Sequence, residues 1–292
     1  MNMRIEELVD EMGATSDRQH ALSLAARLDP DAPADWRNLA AVLAAHETAP
    51  LIGIGGGQGA GKTTLSRLLV SAIQLSGRSA VGCSLDDFYL SRSAREELAQ
   101  TVHPLFATRG VPGTHDLELA RATLTGFTRT QTTLLPRFDK AHDNPLAPGR
   151  WNAIAGPVSQ VVFEGWCVGA SPQPEAQLVQ PLNQLEATED GGGEWRRHVN
   201  QALASGYREL WSRIDFMIYL KVPNFAAVAR WRTRQEHQIA TNRQMDSVAL
   251  QRFLAHYERL TLWMLETMPA RADLVVELNP DHSVARVVIE RS

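Results

Sequence analysis

Cysteine is nearly missing from these 292 residues: only Cys83 and Cys167 occur, too few for a disulfide framework. No uninterrupted apolar stretch approaches the roughly eighteen residues that a membrane-spanning helix requires, so none is expected. An excess of positive charge is lacking as well. The 29 basic and 33 acidic side chains leave a formal charge of −4, and no global field draws in nucleic acid or an anionic membrane. Neither is expected as a partner. The first residues, Met1 to Glu11, are acidic rather than a basic start followed by an apolar run, so a cytoplasmic location is expected. What remains, at 44% hydrophobic and 21% charged, is the profile of a globular chain with one large domain and an extension.

Residues 1–49 carry no strand signal. Their Ala-rich stretches Gln19–Leu28 and Ala34–His46 have helical spacing and are separated by the breaker Asp29-Pro30-Asp31-Ala32-Pro33. A helical extension is predicted there, followed by one domain over 50–292. The runs Leu51–Ile54, Ala80–Leu85, Gln160–Phe163, Phe216–Leu220 and Leu274–Leu278 are short and apolar throughout, with helical stretches between most of them. Strands buried on both faces and joined by helical crossovers predict a three-layer α/β/α fold around a parallel sheet of five strands. Two stretches fall outside that core. One is the insertion 86–151, rich in Pro, Gly, His and Arg. The other is Glu186–Glu194, whose acids and Gly191-Gly192-Gly193 read as a solvent-exposed flexible loop.

Between the first strand and the first core helix stand Gly55, Gly56, Gly57, Gln58, Gly59, Ala60, Gly61, Lys62, Thr63 and Thr64. Gly56 to Thr63 match G-x-x-x-x-G-K-[ST] in its required context of strand before and helix after. Glycines there let successive backbone N–H groups converge on phosphate oxygens, and the helix N-terminus adds partial positive charge. Lys62 would then reach the β and γ phosphates of ATP, while the Thr63 hydroxyl ligates Mg²⁺. Gly55, Gly57 and Ala60 also satisfy the looser dinucleotide pattern. That reading leaves Lys62-Thr63 unexplained and places its acid, Asp86, later than the roughly twenty-residue spacing. A guanine-nucleotide switch would need a base-reading N-K-x-D segment, which is absent.

Carboxylates at strand ends supply the rest. Asp86 and Asp87 end the second strand, where open α/β sheets place ligands, and Asp86 is the first candidate for accepting a hydroxyl proton. Glu164 ends the third strand before Gly165-Trp166, a position suited to Mg²⁺ or its water. Arg230 and Arg234 share a helix face in a lid region over 223–245, and Arg232 faces Glu236 at i,i+4. Guanidinium groups there could offset charge on transferring phosphates. His282, in the turn Asn279-Pro280-Asp281-His282, is placed to meet an adenine ring.

With the glycine loop, Asp86-Asp87-Phe88-Tyr89 and Phe163-Glu164-Gly165-Trp166 assembled, the chain resembles the P-loop kinases of small metabolites, which include uridine kinase, phosphoribulokinase and pantothenate kinase. Within that group it more closely resembles plant-type D-glycerate 3-kinase and its fungal and bacterial relatives. Three strings carry that likeness: Arg109-Gly110-Val111-Pro112-Gly113-Thr114-His115-Asp116, Leu135-Pro136-Arg137-Phe138-Asp139-Lys140, and Val222 to Glu236. The resemblance runs from about residue 50 to 285 and implies strand order 2-3-1-4-5. It also implies an ATP site using Mg²⁺, and a small, anionic acceptor held by Asp86, Tyr89, Arg109, His115, Asp116 and Lys140. Where plant-type enzymes follow the Lys of the second string with a Gly-rich segment holding an Asp-Arg pair, this chain has Ala141-His142-Asp143-Asn144-Pro145. An acceptor-side cation is therefore absent or supplied by Arg150.

Overall fold

The structure, a computed structural model, describes residues 2–3, 15–237 and 245–289. Five strands form its centre: β1 (Leu51–Gly56), β2 (Ala80–Ser84), β3 (Gln160–Gly165), β4 (Phe216–Lys221) and β5 (Leu274–Leu278). All five are parallel, in the order β2-β3-β1-β4-β5. That is the predicted order. The sheet is nevertheless wider than five strands. β6 (Val284–Ile289) pairs antiparallel with β5, and the two-residue strand Asn2–Met3 pairs antiparallel with β6. The extra edge forms because the chain doubles back at 279–283, where Ser283 O accepts from Asn279 N–H and Asn279 O from His282 N–H. β6 is partly exposed along its length, so it lacks the continuous apolar run that marks the buried strands.

Alternate strand residues feed opposite faces. Ile52, Ile54, Val162, Ile218, Leu220 and Val276 enter one core, and Leu51, Val161, Phe163, Met217, Tyr219 and Val275 enter the other. The first core is covered by α3 (Lys62–Leu75) and by the two helices that precede β1, α1 (Thr15–Arg27) and α2 (Ala34–His46). Leu24, Trp36 and Leu39 are buried in that core together with Leu65, Leu69 and Ile73 of α3. The predicted helical extension is thus a layer of the domain. Residues 1 and 4–14 of it lie outside the described residues. Among the described residues no helix is long and apolar enough to cross a membrane.

The insertion 86–151 is built from α4 (Arg92–Thr101), α5 (Leu117–Gly126) and two small pairs of strands, Thr133–Leu135 with Asn152–Ile154 and Phe138–Asp139 with Asn144–Pro145. The acidic stretch 186–194 is not the exposed loop that its composition predicts. Gln184–Glu189 is a helical turn, and both Glu186 and Asp190 are buried. Arg259 grips Glu186 with two hydrogen bonds of 2.7 and 2.6 Å, and Arg196 meets Asp190 at 2.8 Å. Acids look solvated in a sequence when their partner lies far along the chain, as Arg259 does. Removing one member of such a pair costs about 3–5 kcal/mol, because a bare charge stays buried.

Three further elements frame the site: α6 (Glu194–Ala202), α7 (Phe225–His237) and the long α8 (Ser247–Thr267).

Candidate active site

The carboxyl ends of β1, β2 and β3 converge on the glycine loop. Gly59 and Gly61 have φ of +75° and +90°, and each is closely covered. A Cβ would stand 3.0 Å from Trp231 Cβ at Gly59 and 3.3 Å from the Trp36 ring at Gly61. No side chain caps α3, whose N-cap is Gly61, so its first-turn N–H groups are free to bind an anion. Lys62 opens the helix and donates to Gly57 O at 2.9 Å within the loop. Burial lowers its ammonium below the usual lysine range, against the raising pull of Glu164 and Asp86.

Strand register delivers the acids. Glu164 lies opposite Ile54 of β1 and Ser84 of β2, so its side chain emerges beside the loop. Thr63 Oγ1 donates to Glu164 Oε1 at 3.1 Å. Burial pushes the Glu164 carboxyl upward, and Lys62 pulls it back. Two residues beyond Ser84 comes Asp86, which Lys140 Nζ meets at 2.5 Å and the Tyr89 hydroxyl at 2.9 Å. Burial alone would raise the Asp86 carboxyl; Lys140 and the Tyr89 hydroxyl outweigh it and hold the group below the ordinary carboxylate value. Asp87 faces the hairpin instead, accepting from Phe138 N–H at 3.1 Å and from Arg137 at 3.3 Å.

Behind Asp86 the acceptor-loop string is tightly folded. Tyr89 stacks on the buried His115 with ring centroids 4.4 Å apart. Asp116 accepts from Leu119 N–H at 2.9 Å and so caps α5. Arg109 lies over the Phe138 ring and pairs with Asp143, whose other oxygen takes the buried Arg95 at 2.6 Å. Arg150 is exposed in the turn Pro148–Arg150. Of the six acceptor residues named from sequence, Asp86, Tyr89, His115 and Lys140 form one connected group. Arg109 is neutralised, and Asp116 serves a helix end.

On the opposite side of the loop, His282 (φ +73°) stacks on Trp231 at 3.9 Å, and Trp231 Nε1 donates to Pro280 O at 2.9 Å. Arg230 and Arg234 are exposed on α7. Arg232 is turned inward to Glu236 at 2.7 Å and lies over Phe253. Residues 238–244 of the predicted lid region lie outside the described residues.

Several supporting residues had no short-range signal. Trp36 backs Gly61 from the N-terminal helices, and Tyr257 of α8 donates to Arg109 O at 3.1 Å. Gly110 (φ +135°) leaves room for that phenol, since a Cβ there would overlap it. Tyr207 reaches Gly113 and His115 from more than ninety positions away. Only the tertiary fold brings these groups to the loop.

A glycine loop on a strand–helix junction, a lysine inside it and two acids on neighbouring strand ends define a P-loop kinase. No protein-family model matches the chain. Its sequence is 31% identical over 242 residues to the uncharacterized kinase mug58 of Schizosaccharomyces pombe, covering 79% of this chain and 84% of that protein. It is also 31% identical over 198 residues to the chloroplastic D-glycerate 3-kinase of Arabidopsis thaliana, covering 64% of this chain and 41% of that one. A solved D-glycerate 3-kinase from Cryptococcus neoformans var. grubii superposes with a TM-score of 0.68 at 25% identity, over 95% of this chain and all of that one. The chain belongs to the family of P-loop kinases that comprises D-glycerate 3-kinase and its fungal relatives.

Proposed function

We propose that the protein transfers the γ-phosphoryl group of ATP to a hydroxyl of a small anionic metabolite, D-glycerate first among them. The observation that carries this reading is the pairing of Asp86 with Lys140 at the end of β2, one strand from Glu164 and two from the strand that leads into the glycine loop. An ionised carboxylate there accepts the proton of an acceptor hydroxyl, and the adjacent ammonium meets the acceptor's own carboxylate. Such a pair suits a hydroxy acid. The Arabidopsis relative is named for that activity.

Lys62 and the loop amides hold the β and γ phosphates, and Arg230 or Arg234 closes over them from α7. His282 lies against the base. Thr63 and Glu164 offer two hard oxygens at 3.1 Å from each other, which fits Mg²⁺, an ion usually held by one or two protein oxygens, phosphate and water. When bound, it neutralises charge on the β and γ oxygens. Asp86, anionic across the neutral range, then orients the hydroxyl and takes its proton late in the transfer.

A different hydroxylated acceptor is the second reading, favoured by Asp143, which neutralises Arg109 and leaves Lys140 as the cation beside the base. Coupled ADP release across a panel of hydroxy acids, polyols, sugar acids and nucleosides separates the two. Release stimulated by D-glycerate, with phosphoglycerate formed, supports the first. Release with another acceptor alone supports the second, and steady release without any acceptor overturns both in favour of an ATPase.

A further inference from the structure

Tyr207, at the end of the irregular turn Leu203–Tyr207 that follows α6, is fully buried. Its phenol oxygen accepts the Gly113 N–H at 3.0 Å and lies 2.6 Å from His115 Nδ1. His115 is itself only 5% exposed, and its other ring nitrogen, Nε2, is buried without a hydrogen-bond partner.

Counting protons settles which nitrogen of His115 carries one. If Nδ1 were protonated and donated to the phenol, the Tyr207 hydrogen would have no acceptor among the described residues, and Nε2 would be a bare acceptor as well. Two buried groups would then be unsatisfied. If the phenol donates to Nδ1, one group remains, the Nε2–H. Each unsatisfied buried group costs about 1–3 kcal/mol, so the second arrangement holds. Burial also keeps the ring neutral, drawing its pKa down to about 3.

The ring that carries this donor is part of the connected group Asp86, Tyr89, His115 and Lys140. His115 stacks on Tyr89, and the Tyr89 hydroxyl binds Asp86. We infer that Tyr207 is a positioning residue that fixes His115 with its proton on Nε2, and that this N–H recognises an unprotonated oxygen of the phosphate acceptor. The second half rests on the kinase reading above; the first does not. The group then combines the Lys140 cation, the Asp86 base and one neutral donor. It selects acceptors that present a carboxylate or carbonyl oxygen to His115 and discriminates against analogues that present a hydrogen-bond donor at that point.

Two measurements test this on the full chain. Nitrogen-15 NMR of the histidine rings in wild type, with no acceptor added, should show His115 neutral and protonated on Nε2 from pH 5.5 to 8. A ring protonated on Nδ1, or one titrating near 6.5, overturns the inference whatever the acceptor proves to be. Steady-state kinetics with the acceptor identified by the panel then test recognition. Tyr207→Phe should raise the acceptor KM about tenfold, as expected for one lost hydrogen bond, with kcat and the ATP KM within about twofold. The side-chain amide nitrogen of His115→Gln falls near the position of Nε2, so that variant should keep the acceptor KM within about threefold of wild type, whereas His115→Leu should not. This second pair decides if Tyr207→Phe does not fold. Equal KM values in the Gln and Leu variants overturn recognition by His115. A protein without acceptor-dependent turnover refutes the kinase reading, and the NMR result then stands or falls by itself.

Discussion

The indole of Trp36 lies against the backbone of Gly61, close enough that a Cβ on that glycine would stand 3.3 Å from the ring. Gly61 is the residue in front of Lys62 and the N-cap of α3. The N-terminal helices therefore buttress the phosphate loop, which no motif in them announces.

Trp36→Ala should consequently affect both stability and nucleotide use. Removing a buried indole costs about 3–5 kcal/mol, and the loss of backing at Gly61 loosens the loop. The expected result is a lower Tm together with a raised KM for ATP, while the acceptor KM stays near wild type. Thermal denaturation with and without ATP, alongside steady-state kinetics, checks it. A lower Tm with an unchanged ATP KM would assign Trp36 to packing alone.

Asp86 and Asp87 are neighbours in sequence but diverge in the fold, so their amides should behave differently. Asp86→Asn removes the proton acceptor and should lower kcat by about two to four orders of magnitude with ATP affinity preserved. Asp87→Asn weakens the tie to Phe138 and Arg137 and should act on Tm and acceptor KM with kcat retained within about tenfold. Parallel kinetics of the two variants, with ATP affinity measured separately, distinguish chemistry from scaffolding. Comparable kcat losses in both would refute the division.

Much of this arrangement was legible because its signals are local. The glycine loop, the five apolar strands and the acids at their ends each occupy a few consecutive residues, and parallel connections permit few sheet orders. Groups held by distant partners were not legible. Glu186 reads as solvated until Arg259 of α8 is placed against it, and Asp116 and His115 are adjacent in one string although one caps α5 and the other faces Tyr207. The edge strand β6 escaped because its residues are partly exposed. Sequence spacing reports which residues share an element, whereas the partner of a buried charge is chosen by tertiary packing.

His256, on α8 and outside the phosphate site, gives the fold a built-in acid sensitivity. Burial draws its pKa from 6.5 down to about 4, so between those values the unfolded chain binds a proton that the folded chain refuses. Stability must then fall as pH drops from about 6.5 toward 4 and level off below. At ~1.4 kcal/mol per pH unit, this one group is worth ~3 kcal/mol across the window. His256→Gln should flatten that part of the curve even if it lowers stability at pH 8. Urea denaturation at several pH values measures the slope. An unchanged slope would show that His256 is protonated in the folded protein.

Lys140 holds the Asp86 carboxyl below its ordinary value against the raising effect of burial, with help from the Tyr89 hydroxyl. Lys140→Met removes the larger of the lowering influences, leaving burial dominant over the Tyr89 hydroxyl, so the carboxyl should titrate at higher pH. A base is active only when ionised. The acid limb of kcat/KM for the acceptor should therefore move to higher pH in the variant, while the alkaline limb stays in place. The acceptor KM should also rise at neutral pH, because the ammonium that meets the acceptor's carboxylate is gone. If the acid limb does not move, either Asp86 is not the group that titrates in catalysis or Lys140 has already left it when ATP is bound. The pH profile of Asp86→Asn then decides: loss of the acid limb in that variant keeps Asp86 as the base, and an intact limb excludes it.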